Sequence, residues 1–390
     1  MFKKLLIGLV LLIVIGAICF FIFAPSYVEG QRNGMKPHAP YKISEDAQKL
    51  HDSLLIGDLH ADSLLWNRDL LERSDLGHTD IPRLQAGNVG IQVYTAVTKS
   101  PSGQNYEENS ADATDNITLL AIGQLWPVRT WQSLLQRAIY QSEKLHGFEE
   151  RANGQIKIIK SPNDLESIIK RRKNGEDVIG FILGIEGAHP LEGKFENLKV
   201  LTDAGYRLIA LQHFFDNELG GSLHGEEDHG LTEFGRMVVK AVVEQNLILD
   251  VAHSSEQVVR DVLAMTDIPI VVSHTGIRSH CDTKRNLPDE LMKQIAADGG
   301  LVGIGFWADV TCDDSPAGVA GAIKAAIDLL GEDHVSLGSD YDGSVTVAFD
   351  ASELSALTQA LIDLGLTEAQ IRKVMGENMV RVLRARLGSE

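Results

Sequence analysis

The sequence predicts an α/β protein, a (β/α)8 TIM-like barrel preceded by an N-terminal transmembrane helix. Three observations predict it. Eight short apolar runs are spread over residues 54–337, stretches with helical spacing lie between them, and an unbroken apolar run occupies residues 5–24. A strand covered on both faces reads as a continuous apolar run rather than an alternation. Strand–helix alternation repeated eight times closes into a barrel with helices outside. An open α/β sheet, one or two strands different, is the competing architecture.

The first element is the apolar run. Lys3 and Lys4 precede it, and its 20 residues end at Ala24. As a helix it would reach about 30 Å, the thickness of a bilayer core. The lysines favour the cytoplasmic side, which places the remaining chain outside, periplasmic or extracellular. A cleaved signal peptide is the rival reading. Its apolar region is usually about 7–15 residues and ends in small residues, whereas Phe20, Phe21 and Phe23 crowd the exit here. Cys19 follows Ile18, not the small residue of a lipoprotein site, and reads as a small apolar membrane residue. Residues 25–44, interrupted by Pro25, Gly30, Gly34, Pro37 and Pro40, read as a polar linker to a globular domain at 45–388.

The eight candidate strands are 54–59, 89–97, 178–185, 207–211, 247–252, 269–273, 301–306 and 335–337. Between them, 232–245 carries Phe234, Met237, Val238, Ala241 and Val242 on one helical face. Residues 256–265, 289–297 and 317–330 read similarly. The interval 98–177 is long for one connection and predicts extra helices near 117–124 and 130–145. With 390 residues, 44% of them hydrophobic, the chain can bury a large core. Its net charge of −18, from 54 acidic against 36 basic side chains, argues against nucleic acid as a partner, where a basic surface is expected.

The chemistry lies where the strands end. His60 and Asp62, two residues apart on extended chain, share a face. Glu186, His213, His253, His274 and Asp340 follow the third, fourth, fifth, sixth and eighth runs. In a parallel barrel those ends converge on one mouth. Taken singly, each has a bland explanation: a hydrogen-bonded structural histidine, an aspartate shaping a turn, a solvated loop glutamate. Seven at equivalent positions are another matter, because burying several carboxylates without counter-charge is costly. Divalent cations would neutralise them. Imidazole and carboxylate suit zinc, cobalt, manganese or iron, and no cysteine belongs to the set. The donors suffice for two ions, with Glu186, the only glutamate, as the natural bridge. His189 reads as a loop residue. His224 and His229 lie in a loop, 220–230, that either covers the mouth or is a solvated surface loop. Asp342 and Gly343 are expected to shape the turn that aims Asp340, and Asp250 to orient the fifth strand or a ligand.

The motifs His60-Ala-Asp62, Glu186-Gly-Ala-His, Leu-Gln-His213, Asp-Val-Ala-His253, Ser-His274-Thr, Lys-Arg285-Asn286-Leu-Pro-Asp289 and Gly338-Ser-Asp340-Tyr-Asp-Gly, in that order, resemble the membrane dipeptidase (renal dipeptidase) family over roughly 45–385. The resemblance implies a (β/α)8 barrel with a binuclear Zn2+ site that cleaves dipeptides with a free carboxylate, tolerating a D-residue at the carboxyl side. It implies that His60, Asp62 and Glu186 hold one zinc, and that Glu186, His253 and His274 hold the other. It implies that His213 stabilises the oxyanion, Arg285 binds the substrate carboxylate and Asp340 handles the proton. A guanidinium fork near the metals explains a dipeptidase rather than a general peptidase. It further implies a homodimer and, from a similarly placed bridge in the family, a disulfide between Cys281 and Cys312 in the loops after the sixth and seventh strands. One departure is Gln212, where the family often has threonine before the histidine.

Two other readings compete. Another amidohydrolase-like barrel would share His-x-Asp but usually adds a bridging lysine, where this chain has Glu186. A catalytically silent, membrane-tethered binding protein on the same fold would be expected to lack a ligand, and none is missing.

Overall fold

A computed structural model describes residues 2–388. Eight parallel strands close into a ring: β1 (Ile56–Ala61), β2 (Val89–Val97), β3 (Ile179–Glu186), β4 (Tyr206–Ala210), β5 (Ile248–Asp250), β6 (Val271–Thr275), β7 (Leu301–Ile304) and β8 (Val335–Leu337). The closing seam is β8 to β1, Leu337 opposite Asp58. The longest register runs between β2 and β3, from Ile91 opposite Gly180 to Val97 opposite Glu186. All eight expected runs are strands of this barrel, shifted by at most two residues at their starts. Every residue of β1, β2 and β3 is buried, which is why these strands show no alternation.

The helices between strands start on side-chain caps. Thr232, Ser255 and Ser315 accept the N–H of Gly235, Val258 and Gly318, opening helices Glu233–Glu244, Glu256–Met265 and Pro316–Leu330. Each turns an apolar stripe inward, as with Val238, Val239, Ala241 and Val242 of the first. The long connection after β2 holds helices Asn116–Gly123 and Leu134–Arg151, near the two expected. It also holds a short strand, Ile156–Ile158, that the sequence reading missed. This strand pairs with the start of β3, on the edge that β4 takes over further along. Three residues are too few to display a period.

The segment expected to be a linker from residue 25 is instead ordered against the barrel. One helix spans Phe2–Arg32 and passes through Pro25. Its last turn is held by tertiary contacts that outweigh the breaker. Glu29 is buried and ion-paired with Arg68 at 2.5 Å, and Asn33 accepts the Ser344 N–H at 3.0 Å. Gly34–Met35 then pairs in parallel with Thr346–Val347, and the Lys36 ammonium donates to Asp314. The apolar part of this helix has a mean hydropathy of 3.3, and none of that stretch is buried. It is long and apolar enough to cross a membrane, a property that signal sequences share.

Candidate metal centre and active site

The barrel strands deliver their polar side chains in two levels. Asp58, His60 and Asp62 alternate along β1 and just beyond it. Asp58 accepts from the Ser339 N–H (2.8 Å), the Ser339 hydroxyl (2.7 Å) and the Gln92 amide (2.9 Å). On the far side, Asp250 Oδ1 accepts the N–H of Ala252 and of Ser273, both at 3.0 Å, tying β5 to β6. The Ser273 hydroxyl then lies 3.2 Å from His60 Nδ1 and 2.9 Å from His274 Nδ1, orienting both rings. The sequence reading anticipated an orienting role for Asp250 but missed Asp58, Gln92 and Ser273, which form the floor of the site.

Above this floor the other expected residues meet. Three imidazole nitrogens converge on one oxygen: His253 Nε2, His274 Nε2 and His60 Nε2 stand 3.2, 3.4 and 3.5 Å from Glu186 Oε1. His60 Nε2 is also 3.7 Å from Asp62 and 3.8 Å from Asp340. His213 Nε2 approaches the other Glu186 oxygen at 3.5 Å. His60, Asp62 and Glu186 form one group whose ligand atoms lie within 4.8 Å of one another. Glu186, His213 and His253 form a second such group, and His60, His274 and Asp340 a third. Glu186, His253 and His274 also converge, since His253 Nε2 and His274 Nε2 are 3.0 Å apart.

This donor set fits divalent metal. The nitrogens of His253 and His274 point at each other and at a carboxylate, an arrangement that at most one proton can bridge. His253 Nδ1 is buried without a partner. Burial pushes the Glu186 carboxyl well above the usual range, and the Asp62 charge pushes it further. Burial likewise raises Asp340, to about 8. His60 shows the opposite balance: burial opposes its charge, but the Glu186 and Asp62 carboxylates override it and raise the ring to about 10. Burial holds His253 and His274 well below the usual imidazole range, so these rings stay neutral, as metal ligands must be, and a cation would offset the cost of ionising the acids beside them.

Around the cluster, Arg285 is buried and held by the carbonyls of Ala252 (2.9 Å) and His274 (2.7 Å), with its guanidinium 5.8 Å from the Trp307 ring centre. His213 is buried, which drives its ring down to about 4; its Nδ1 is 3.4 Å from the Lys99 carbonyl. Asp340 sits in left-handed backbone, φ 59°, as do Asp342 and Ser344. A side chain at Gly343 would meet the Asp340 carboxylate and displace it. Asp342 faces away, accepting from Arg68, Ser63 and the His78 N–H, and so shapes the turn as anticipated. The 220–230 loop divides. His224 is fully buried, packed 5.1 Å from Phe214 and 5.6 Å from His253, whereas residues 226–228 are exposed. His189 is buried too, stacked on Phe215. Tyr106 and Trp307, joined by a 3.0 Å hydrogen bond, line the remaining cavity of about 70 Å³ with Arg285 and Asp340. Tyr106 comes from an irregular loop, where no periodicity could single it out. Cys281 and Cys312 form a disulfide.

Residues 44–387 match the family of sequences described as membrane dipeptidase (peptidase family M19). The chain belongs to that family. It is a metal-dependent dipeptidase. The dipeptidase is 25% identical to Dipeptidase ataJ of Aspergillus terreus over 338 residues, covering 79% of this chain and 77% of that one. It is 26% identical to Dipeptidase verJ of Clonostachys rogersoniana over 319 residues, covering 79% and 76%. Its fold matches a metallo peptidase from Rhodobacter sphaeroides, solved with a phosphinate mimic of L-Ala-D-Ala, with a TM-score of 0.67 and 24% identity over 85% of this chain and 99% of that one.

Proposed function

We propose that the dipeptidase is a two-zinc enzyme, bridged by Glu186, that hydrolyses dipeptides with a free carboxylate and accepts a D-residue at the carboxyl side. The observation that carries this reading is the convergence of three imidazole nitrogens on one Glu186 oxygen, 3.2–3.5 Å away. His60 and Asp62 would complete one ion's protein ligands with Glu186, and His253 and His274 the other's. Bound zinc supplies a water of lowered pKa and polarises the scissile carbonyl.

The chain's own residues do the rest. Asp340, whose carboxylate lies 3.8 Å from His60 Nε2 at the edge of the cluster, would take the proton of the attacking water and pass it to the leaving amine. His213, whose Nε2 faces the cluster 3.5 Å from Glu186, would donate to the developing oxyanion in the protonation state that carries its proton on Nε2. Arg285 has N–H groups left after bonding two backbone carbonyls, and they offer the cation for the substrate carboxylate. Tyr106 and Trp307 wall the cavity against longer peptides. The phosphinate L-Ala-D-Ala mimic bound by the Rhodobacter protein supports the stereochemical part of the reading.

We further propose that residues 5–24 anchor the enzyme in a membrane, with the domain at 45–388 outside the cytoplasm, and that it forms homodimers. Metal analysis with turnover of L-Ala-L-Ala and L-Ala-D-Ala tests the chemistry. About two zinc ions per chain and hydrolysis of both substrates are expected; one ion, or none, defeats the binuclear reading. Arg285→Lys should raise KM by roughly 10²-fold with kcat little changed, because an ammonium cannot reproduce the fork. An unchanged KM would remove Arg285 from substrate binding.

A further inference from the structure

The N-terminal helix does not leave the domain at a free angle. Phe21, Ala24 and Pro25 are partly covered and Glu29 is buried, at helical spacing, so one face of the helix lies against the protein. The neighbour is helix Asn116–Gly123. Between the two runs an apolar groove of about 480 Å³, lined by Phe20, Ala24, Pro25 and Val28 on one wall and Leu119 and Leu120 on the other. Phe20 lies four residues inside the outer end of the apolar run, about 6 Å along a helix axis. Whatever packs beside Phe20 therefore sits at the level of the run's last turn.

That segment is also unusually apolar on its outer side. Leu119, Leu125 and Val128 are 63, 64 and 71% exposed. Leu125 is held in left-handed backbone, φ 55°, a conformation that disfavours a leucine. Three large exposed apolar side chains thus lie within ten residues, beside an apolar helix of bilayer length. The groove and the catalytic cavity share Leu65, Ser100, Gln104, Ile117 and Ser344 in their walls, so the two openings adjoin.

We propose that residues 116–128 form a second membrane contact. Leu119, Leu125 and Val128 enter the outer-leaflet interface beside the anchor, and the mouth of the active site is held at the lipid surface. Two contacts fix the domain's tilt where one helix alone would leave it free to rotate. This rests on the reading of residues 5–24 as an anchor, and the experiment separates the two.

Full-length protein carrying Cys19→Ser, with the native disulfide intact, would be reconstituted in phosphatidylcholine nanodiscs. An environment-sensitive fluorophore would be placed at Leu125→Cys, Val128→Cys, Val10→Cys or Met237→Cys. Lipid bearing a doxyl nitroxide near the headgroup should roughly halve emission at Leu125→Cys and Val128→Cys, the depth at which interfacial apolar side chains lie being about 5–10 Å. It should leave Met237→Cys, on the exposed face of Glu233–Glu244, unchanged. Quenching at Val10→Cys with none at Leu125→Cys or Val128→Cys overturns the second contact while preserving the anchor. No quenching at Val10→Cys overturns the anchor and the proposal together. A blue shift at Leu125→Cys without quenching, lost at one chain per disc, would assign the patch to a second copy and overturn the lipid contact.

Discussion

Asp58 and Asp62 stand four residues apart at one end of β1, both buried, and are treated in opposite ways. Asp58 has three donors within 2.9 Å, all supplied by the fold. Asp62 receives one hydroxyl, from Thr95 at 2.5 Å, and otherwise lies near the His60 imidazole and within 4.8 Å of the Glu186 carboxylate. The same contrast separates the two levels of the barrel interior. In the floor, Asp58 and Asp250 Oδ1 take hydrogen bonds from neighbouring strands, and Gln92 Oε1 and Asp250 Oδ2 are left over. In the level above, acceptors face acceptors, and the sum of the protein's own donors falls short. A satisfied polar network stiffens a fold; an unsatisfied buried one is tolerable only if something else supplies the positive charge.

That difference can be broken at either level. The largest effect is expected from Glu186→Gln. It removes the oxygen charge on which three imidazoles converge, so metal content should fall and kcat/KM should drop by at least ~10³-fold, about 4 kcal/mol. Metal-free protein should lose little stability, because burial already opposes the charge that the substitution removes. Metal analysis, steady-state kinetics and urea unfolding after chelation read the three quantities. A Glu186→Gln enzyme that keeps its metal and its turnover would show that the upper level does not need the charge.

Asp58→Ala should do the reverse. It strands the Ser339 N–H, the Ser339 hydroxyl and the Gln92 amide in a buried floor, at a cost of about 3 kcal/mol in unfolding free energy. Activity per folded, metal-loaded molecule should fall much less than in Glu186→Gln. A urea midpoint close to wild type, with turnover abolished, would move Asp58 from the floor into the reacting site and erase the distinction between levels.

The two levels also differ in how far the sequence reveals them. His60, Asp62, Glu186, His213, His253, His274 and Asp340 stand out because charged or titratable side chains interrupt or end apolar strands, a conflict with burial that strand chemistry alone does not resolve. All eight strands are legible for the complementary reason, that buried parallel strands are apolar throughout. Ser273, Gln92 and Ser339 carry no such signal: a small or neutral polar residue in a strand reads as ordinary until its partner across the barrel is known. Tyr106 is invisible, and His224 ambiguous, for another reason. Each sits in an irregular loop, and only the packing of that loop on Phe214 and His253 gives it a place at the site. The Pro25 region misleads through local propensity, which tertiary contacts at Glu29, Asn33 and Gly34 override.

Those last contacts extend the upper level beyond the barrel. Arg68 joins Glu29 of the N-terminal helix to Asp342, two residues past Asp340 in a turn with three left-handed residues. The turn that aims Asp340 is therefore tied to the N-terminal helix through Arg68. Glu29→Gln keeps the shape of the side chain but removes its charge, leaving Arg68 to Asp342 alone. Because the amide can still accept a hydrogen bond, the expected loss is small, about 1 kcal/mol in unfolding free energy. Thermal melts and kinetics of the full chain in detergent would measure it, with kcat falling slightly and KM unchanged. If Glu29→Gln instead raises KM and leaves stability intact, the brace acts on substrate binding rather than on the turn. If it changes neither, the Arg68–Asp342 pair holds the turn without help from the helix, and the upper level ends at the barrel.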